Sequence, residues 1–254
     1  MSTLTAAPAV PVAPPFARVW RIARLLVANP WTTIGFPIVI LTVIFALNWA
    51  IWWVIVATVG AENAADPTLY TGALSFVFIY MLVVAVQAVN LSFPLALGYG
   101  ATRRAFSLGS GLAFLLLSAG YALVMTLGAW VEQLTGGWGL EGQFFRTFTF
   151  VTDAGWFAQW WVYFCWLVFF FATGTIFAAV FVRWKAIGLT SAFLALAILV
   201  VGAIAALTLS GSWLRLWGAL DALGTLGFAS VLIIPAAVAA AIAHLVLRRA
   251  TPRG

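Results

Sequence analysis

The sequence predicts an all-α, polytopic membrane protein: six transmembrane helices, an amphipathic interfacial helix ahead of them, and both termini in the cytoplasm. Three observations carry that expectation. Charged residues are 7% of the 254, against roughly 25% in a soluble domain. Six long windows contain no Asp, Glu, Lys or Arg. The remaining charges sort by loop, basic on one side and acidic on the other. With 65% hydrophobic residues and a mean hydropathy of +1.13, too little polar surface remains to coat a water-soluble globule. An ordinary cytosolic enzyme and a secreted domain are both excluded.

Residues 1–15 are rich in Ala and Pro without a helical period, which reads as a disordered tail. No basic stretch precedes a short apolar run there, so the tail is not a signal peptide. Residues 16–29 are different. Arg18, Arg21 and Arg24 recur every third residue on one helical face, while Phe16, Val19, Trp20, Ile22, Ala23, Leu26 and Val27 fill the other. This pattern predicts a helix lying in the membrane interface, its arginines toward cytoplasmic headgroups. It serves either as a lever on the first span or as a passive anchor. Asn29 and Pro30 break it and turn the chain inward.

Residues 30–254 form the expected six-span domain. A crossing needs about 20 apolar residues, because hydrocarbon offers the backbone no hydrogen-bond partner. The windows 33–58, 72–97, 107–131, 157–182, 186–210 and 224–247 all satisfy this. Continuous runs of such length exclude a transmembrane barrel, whose strands alternate. Arg18, Arg21, Arg24, Arg103, Arg104, Arg183, Lys185, Arg248, Arg249 and Arg253 fall on the side of both termini. Glu62, Asp66, Glu132, Glu141, Asp153 and Asp221 fall on the other, with Arg146 and Arg215. By the positive-inside rule the basic side is cytoplasmic. The pI of about 10.3 therefore reports topology, not nucleic-acid binding. Ten of the 14 tryptophans, among them Trp49, Trp52, Trp138 and Trp161, gather near the outer ends, as an aromatic belt would.

Several chemistries are missing. No phosphate-binding Gly-x-x-x-x-Gly-Lys-Ser/Thr loop occurs, and the sole lysine is Lys185. No carboxylate lies within a span, so the usual proton or sodium relay has no carrier. One Cys and one His cannot build a metal site, and no cofactor is expected on the chain. An intramembrane protease needs nucleophile and base at one depth. Cys165 and His244 lie about 12 Å and about 30 Å below the outer edge, at 1.5 Å per residue, and cannot meet. Ser110 shares His244's depth, yet Leu108 stands where a rhomboid-type Gly-x-Ser-Gly motif has its first glycine. Gly109-Ser110-Gly111 reads more simply as a close helix–helix contact.

The stretch 95–109, LALGYGATRRAFSLG, joins the second and third spans by a short basic loop with glycines. It resembles the corresponding loop of permease subunits of ATP-binding-cassette exporters of the ABC-2 type. An interfacial helix, six spans and cytoplasmic termini resemble that family's architecture, and 211–221, GSWLRLWGALD, resembles its short re-entrant helices before the last span. The outer insertion between the fifth and sixth spans is short by comparison. The resemblance implies that Gly98, Gly100, Thr102, Arg103, Arg104 and Phe106 form a coupling loop docking on a separate cytoplasmic ABC ATPase. Phe106 would fill an apolar groove on the ATPase, flanked by the two arginines. On composition alone, Arg103 and Arg104 only hold the loop in the cytoplasm, and Gly98 and Gly100 only end a helix.

The resemblance further implies a second permease copy, ATP and Mg held by the partner ATPase, and residence in a bacterial cytoplasmic membrane. The chain itself would be no enzyme. Its substrate would be hydrophobic or amphipathic, in keeping with neutral, aromatic-rich spans. Gln87 and Asn90, three apart on the second span, either line the path or hydrogen-bond a neighbouring helix. A stand-alone substrate-binding membrane subunit or channel is the other reading of the same spans, with the protease a distant third.

Overall fold

The computed structural model describes residues 14–60, 72–146 and 155–250. Residues 1–13 of the expected tail lie outside the described residues, as do Glu62, Asp66, Asp153 and Arg253. The elements are α1 (Pro15–Leu26), a π turn (Trp31–Gly35), α2 (Phe36–Val59), α3 (Leu74–Gly98) and α4 (Arg103–Leu134). After these come α5 (Trp156–Leu209), α6 (Trp213–Ala222), α7 (Gly224–Ser230) and α8 (Ile233–Arg248). The described residues contain no β-strand. Five helical stretches are long and apolar enough to cross a membrane: Trp31–Val59, Leu74–Gly98, Arg103–Leu134, Trp156–Leu209 and Gly224–Arg248. The chain is an all-helical, multi-pass membrane protein by that measure.

Local chemistry sets the breaks between elements. Pro15 opens α1, where its fixed φ suits the first turn and its missing N–H is not needed. The bend to α2 is organised by Asn29. Its Oδ1 accepts the Trp31 N–H at 3.1 Å, and its carbonyl accepts the Thr32 and Thr33 hydroxyls at 3.0 and 3.1 Å. Helix α5 has 54 residues, about 81 Å if straight, far longer than a bilayer core of about 30 Å. Lys185 breaks it, with φ 57° and ψ −146°, between the windows expected at 157–182 and 186–210.

Contacts along the helices give their directions. Phe93 of α3 meets Phe106 of α4 edge-on at 5.1 Å, so the two are antiparallel neighbours across a short turn. Phe114 stacks on Phe171 at 5.0 Å, and Trp160 Nε1 donates to the Ala119 carbonyl at 3.2 Å, so 156–184 runs against α4. Phe78 packs on Trp166 and Phe170 at 5.7 and 5.8 Å, while Gly174 faces Leu82 and Ala85, so α3 and 156–184 run side by side in one direction. Trp161 Nε1 donates to Ser230 Oγ at 2.9 Å, and His244 pairs with Ser107 at 2.8 Å, which makes α8 antiparallel to α4. The first and last described residues consequently share one end of the bundle. The core lies among α3, α4 and 156–184, with Phe93, Phe106, Tyr163, Leu167 and Phe171 fully buried. Residues 186–209 are outside this core and almost wholly exposed.

Helix α1 is amphipathic as expected but ends at Leu26, three residues before Asn29. Its apolar face does not simply float on lipid. Ile22, Ala23 and Leu26 are buried, and α1 lies lengthwise on α4. Pro15 and Arg18 share a cavity with Thr102 and Ala105, and Val27 shares another with Leu117 and Gly120, so the two helices run parallel, and α1 follows a span-length helix where an interfacial helix is expected to lie across it. Gly109 permits this approach: a Cβ there would stand 2.5 Å from Ile22 Cβ and 2.8 Å from the Val19 carbonyl oxygen. The close contact expected at Gly109-Ser110-Gly111 thus falls on Gly109 and α1; Gly111 faces open space.

Candidate functional site

At the end of the bundle that holds both described chain ends, residues 98–106 form a tight helix–turn–helix. Helix α3 finishes at Gly98, the Tyr99 N–H bonds back to the Leu95 carbonyl, and Gly100 takes φ 79°. The Ala101 N–H then reaches the Ala96 carbonyl at 2.9 Å, satisfying the helix end. Thr102 caps α4, its Oγ1 accepting the Ala105 N–H at 3.2 Å. The expected coupling loop is thus a short turn closed by the Thr102 cap, and Arg103–Phe106 already belong to the first turn of α4. Phe106 is 0% exposed and locked against Phe93, so its expected role as the anchor offered to a partner is corrected. Thr102 and Phe106 share a face, as i and i+4 should, but that face turns into the core at Phe106.

What this end presents instead is Tyr99, 80% exposed, with Thr102 and Arg104. Arg103 is held in place, its guanidinium donating to the Arg248 carbonyl at 2.9 Å. With His244 Nδ1 at 2.8 Å from Ser107 Oγ, it fastens the start of α4 to the end of α8. Beside the loop a cavity of about 350 Å³ is lined by Pro15, Arg18, Val19, Thr102, Arg104, Ala105 and Leu108. Two arginines occupy the first turn of α4 with no acidic residue among them. That placement opposes the helix dipole, at about 0.3–1 kcal/mol each. Arg103 is compensated by the Arg248 carbonyl at the end of α8, whereas Arg104 has no hydrogen-bond or ion-pair partner among the described residues and is left for an anionic neighbour.

The remaining expected residues scatter. Gln87 points outward from α3, and Asn90 is half-buried with its Oδ1 unpartnered; neither lines a described cavity. Cys165 is buried beside Ala229, far along the bundle from His244. His244 pairs with Ser107, not Ser110, whose hydroxyl donates to the Ser107 carbonyl at 3.0 Å. Among the described residues no cluster of His, Cys, Asp and Glu could hold a metal.

The opposite end contains a residue that sequence reasoning passed over. Glu132, placed by its charge among the solvent-facing acids, is 1% exposed. Its carboxylate accepts four N–H groups: Trp138 Nε1 at 3.1 Å and the backbone of Phe144, Phe145 and Arg146 at 2.9, 2.9 and 3.0 Å. Around it, Tyr163 Oη donates to the Phe145 carbonyl and accepts from Gln159 Nε2 at 2.7 Å. Gly142 packs on the fully buried Trp52 ring, and Phe45 touches Trp138, Phe144 and Phe145. Residues 135–146 thus plug this end between α2, α4 and α5. A lone carboxylate closing a long apolar helix, followed by a glycine-rich return, was the available signal.

Comparison with protein-family models, with curated proteins and with solved structures returns no significant match to the chain. Residue chemistry and geometry carry the functional reading.

Proposed function

We propose that this chain is the permease subunit of an ABC-2-type exporter in a bacterial cytoplasmic membrane. Two copies and two separate cytoplasmic ATPases would move a hydrophobic or amphipathic substrate. In this reading the membrane is crossed six times, α5 contributing two crossings that meet at Lys185, and the end bearing Arg103, Arg104, Arg248 and Arg249 faces the cytoplasm. The observation that supports it best is the cluster of Tyr99, Thr102 and Arg104 beside the 350 Å³ cavity, with Arg104 exposed and unpaired in the first turn of a helix. An ATPase presenting an acidic surface and one inserted side chain fits that shape. Phe106 acts from inside, fixing the loop to the core against Phe93. Exposed residues 186–209, and α3 around Gln87, are the faces open to a second copy.

The test is purification of the tagged full chain from its native membrane in mild detergent, with mass spectrometry of what accompanies it. An ABC ATPase should co-purify with the native sequence. Tyr99→Ala combined with Arg104→Glu should reduce its recovery at least tenfold while the permease remains monodisperse, since aromatic and arginine anchors dominate such contacts. Absence of any ATPase, or recovery unaffected by the double substitution, would sink the assignment and leave a stand-alone membrane subunit or channel.

A further inference from the structure

We infer that the cavity between α1, the start of α2 and α4 is a binding site for one anionic glycerophospholipid of the leaflet bordering α1. The cavity is about 450 Å³, within the roughly 300–1,000 Å³ of ligand clefts. Ile34 and Ile38 of the first span form one wall, Leu116, Leu117, Gly120 and Val124 of α4 another. Arg24 is the only charged residue in the lining, and Trp20 stands beside it. Arg21 and Arg24 also flank a second hollow that opens next to the first. Both arginines are exposed and neither makes an ion pair or hydrogen bond among the described residues. The described carboxylates, Glu132, Glu141 and Asp221, all lie elsewhere.

That combination selects the occupant. An apolar slot inside a membrane excludes water-soluble ligands along most of its length and accepts an acyl chain. Two unpaired guanidinium groups at one rim select a phosphate, which they can bind through paired N–H donors. Trp20 lines the cavity beside Arg24, and its amphipathic ring suits the boundary between phosphate and acyl chain. A zwitterionic lipid carries a compensating cation and gains less from two arginines than an anionic one. The lipid would complete the seam along which α1 meets α4, filling the gap beyond the close contact that α1 makes at Gly109. The inference needs only the membrane reading, and stands whether or not an ATPase binds.

The full chain is reconstituted in nanodiscs of equal phosphatidylglycerol and phosphatidylcholine with identical acyl chains. It is then released into mild detergent, and the lipid retained is read by native mass spectrometry. The native protein should retain one phosphatidylglycerol. Changing Arg21 and Arg24 together to Gln should lower its retention about 30-fold relative to phosphatidylcholine, as expected for two basic side chains at a membrane surface, and changing both to Lys should restore most of it. Gly120→Leu would project a side chain into the groove, where a Cβ meets no neighbouring element within 4 Å, and should abolish retention. Retention of both lipids in their bulk ratio would overturn the inference. So would a Gly120→Leu protein that melts like the native one yet keeps its phosphatidylglycerol.

Discussion

Glu132 illustrates how a single side chain organises a loop that has no regular structure. Residues 136–141 contain Gly136, Gly137, Trp138, Gly139 and Glu141 at φ between 56° and 78°, a run of left-handed backbone that L side chains rarely adopt. The four N–H groups that converge on the carboxylate hold that run closed. Removing the acceptor leaves them buried and unbonded, so Glu132→Ala should destabilise the protein by about 3 kcal/mol or more, given the strength of hydrogen bonds to a charged group. Chemical denaturation in detergent would read the loss, and tryptic cleavage after Arg146 should accelerate. Unchanged stability would show that the loop is held by its aromatic contacts with Phe45 and Trp52 alone. Charge placed Glu132 on the right side of the membrane, yet no sequence rule told a solvated carboxylate from one enclosed by its own return loop. The inward face of Phe106 is set in a related way, by Phe93 of the preceding helix.

At the scale of elements, the seam between α1 and α4 depends on a missing side chain. The Val19 carbonyl is backbone and cannot swing away from a Cβ at Gly109. Gly109→Ala should therefore push α1 off its seat, at a cost of about 1–3 kcal/mol for overpacking. Hydrogen exchange over residues 15–26 should rise about tenfold or more while α4 stays protected. Equal protection would mean that α1 shifts as a rigid body without loss. A second pair of ties fastens α4 to α8, through Ser107 with His244 and Arg103 with the Arg248 carbonyl. Ser107→Ala should cost about 1 kcal/mol, the usual worth of one such bond, and appear as a small drop in melting temperature. A drop as large as that of Glu132→Ala would assign the serine a greater role than joining two helices.

The whole molecule is tested by which ends can be reached from outside a cell. Gly137 is a poor labelling position, because its φ of 69° and the nearby Gly142 backbone resist a side chain. Exposed Gln133 serves for the outer end and exposed Tyr99 for the inner, and native Cys165 is buried and gives little background. Gln133→Cys and Ser210→Cys should react with an impermeant maleimide on intact cells, while Tyr99→Cys and Arg183→Cys should react only after permeabilisation. Reaction of Arg183→Cys from outside would place the Lys185 break on the wrong face and end the six-crossing reading. Labelling at Tyr99 from outside would invert the bundle.

Helix class and the existence of long apolar segments were readable from composition and run length, because a chain in hydrocarbon must satisfy its backbone internally and keep charge out. The helix break at Lys185 was also visible, since Arg183 and Lys185 separate one apolar run from the next. Tertiary structure alone decided which faces meet. It turned Phe106 inward, laid α1 along α4 over Gly109, gave His244 to Ser107, and folded 135–146 back onto Glu132. Nearly every position in these spans is apolar, so periodicity does not separate a face that packs on protein from one that meets lipid. Only shape complementarity between particular side chains makes that distinction, and it belongs to the assembled bundle.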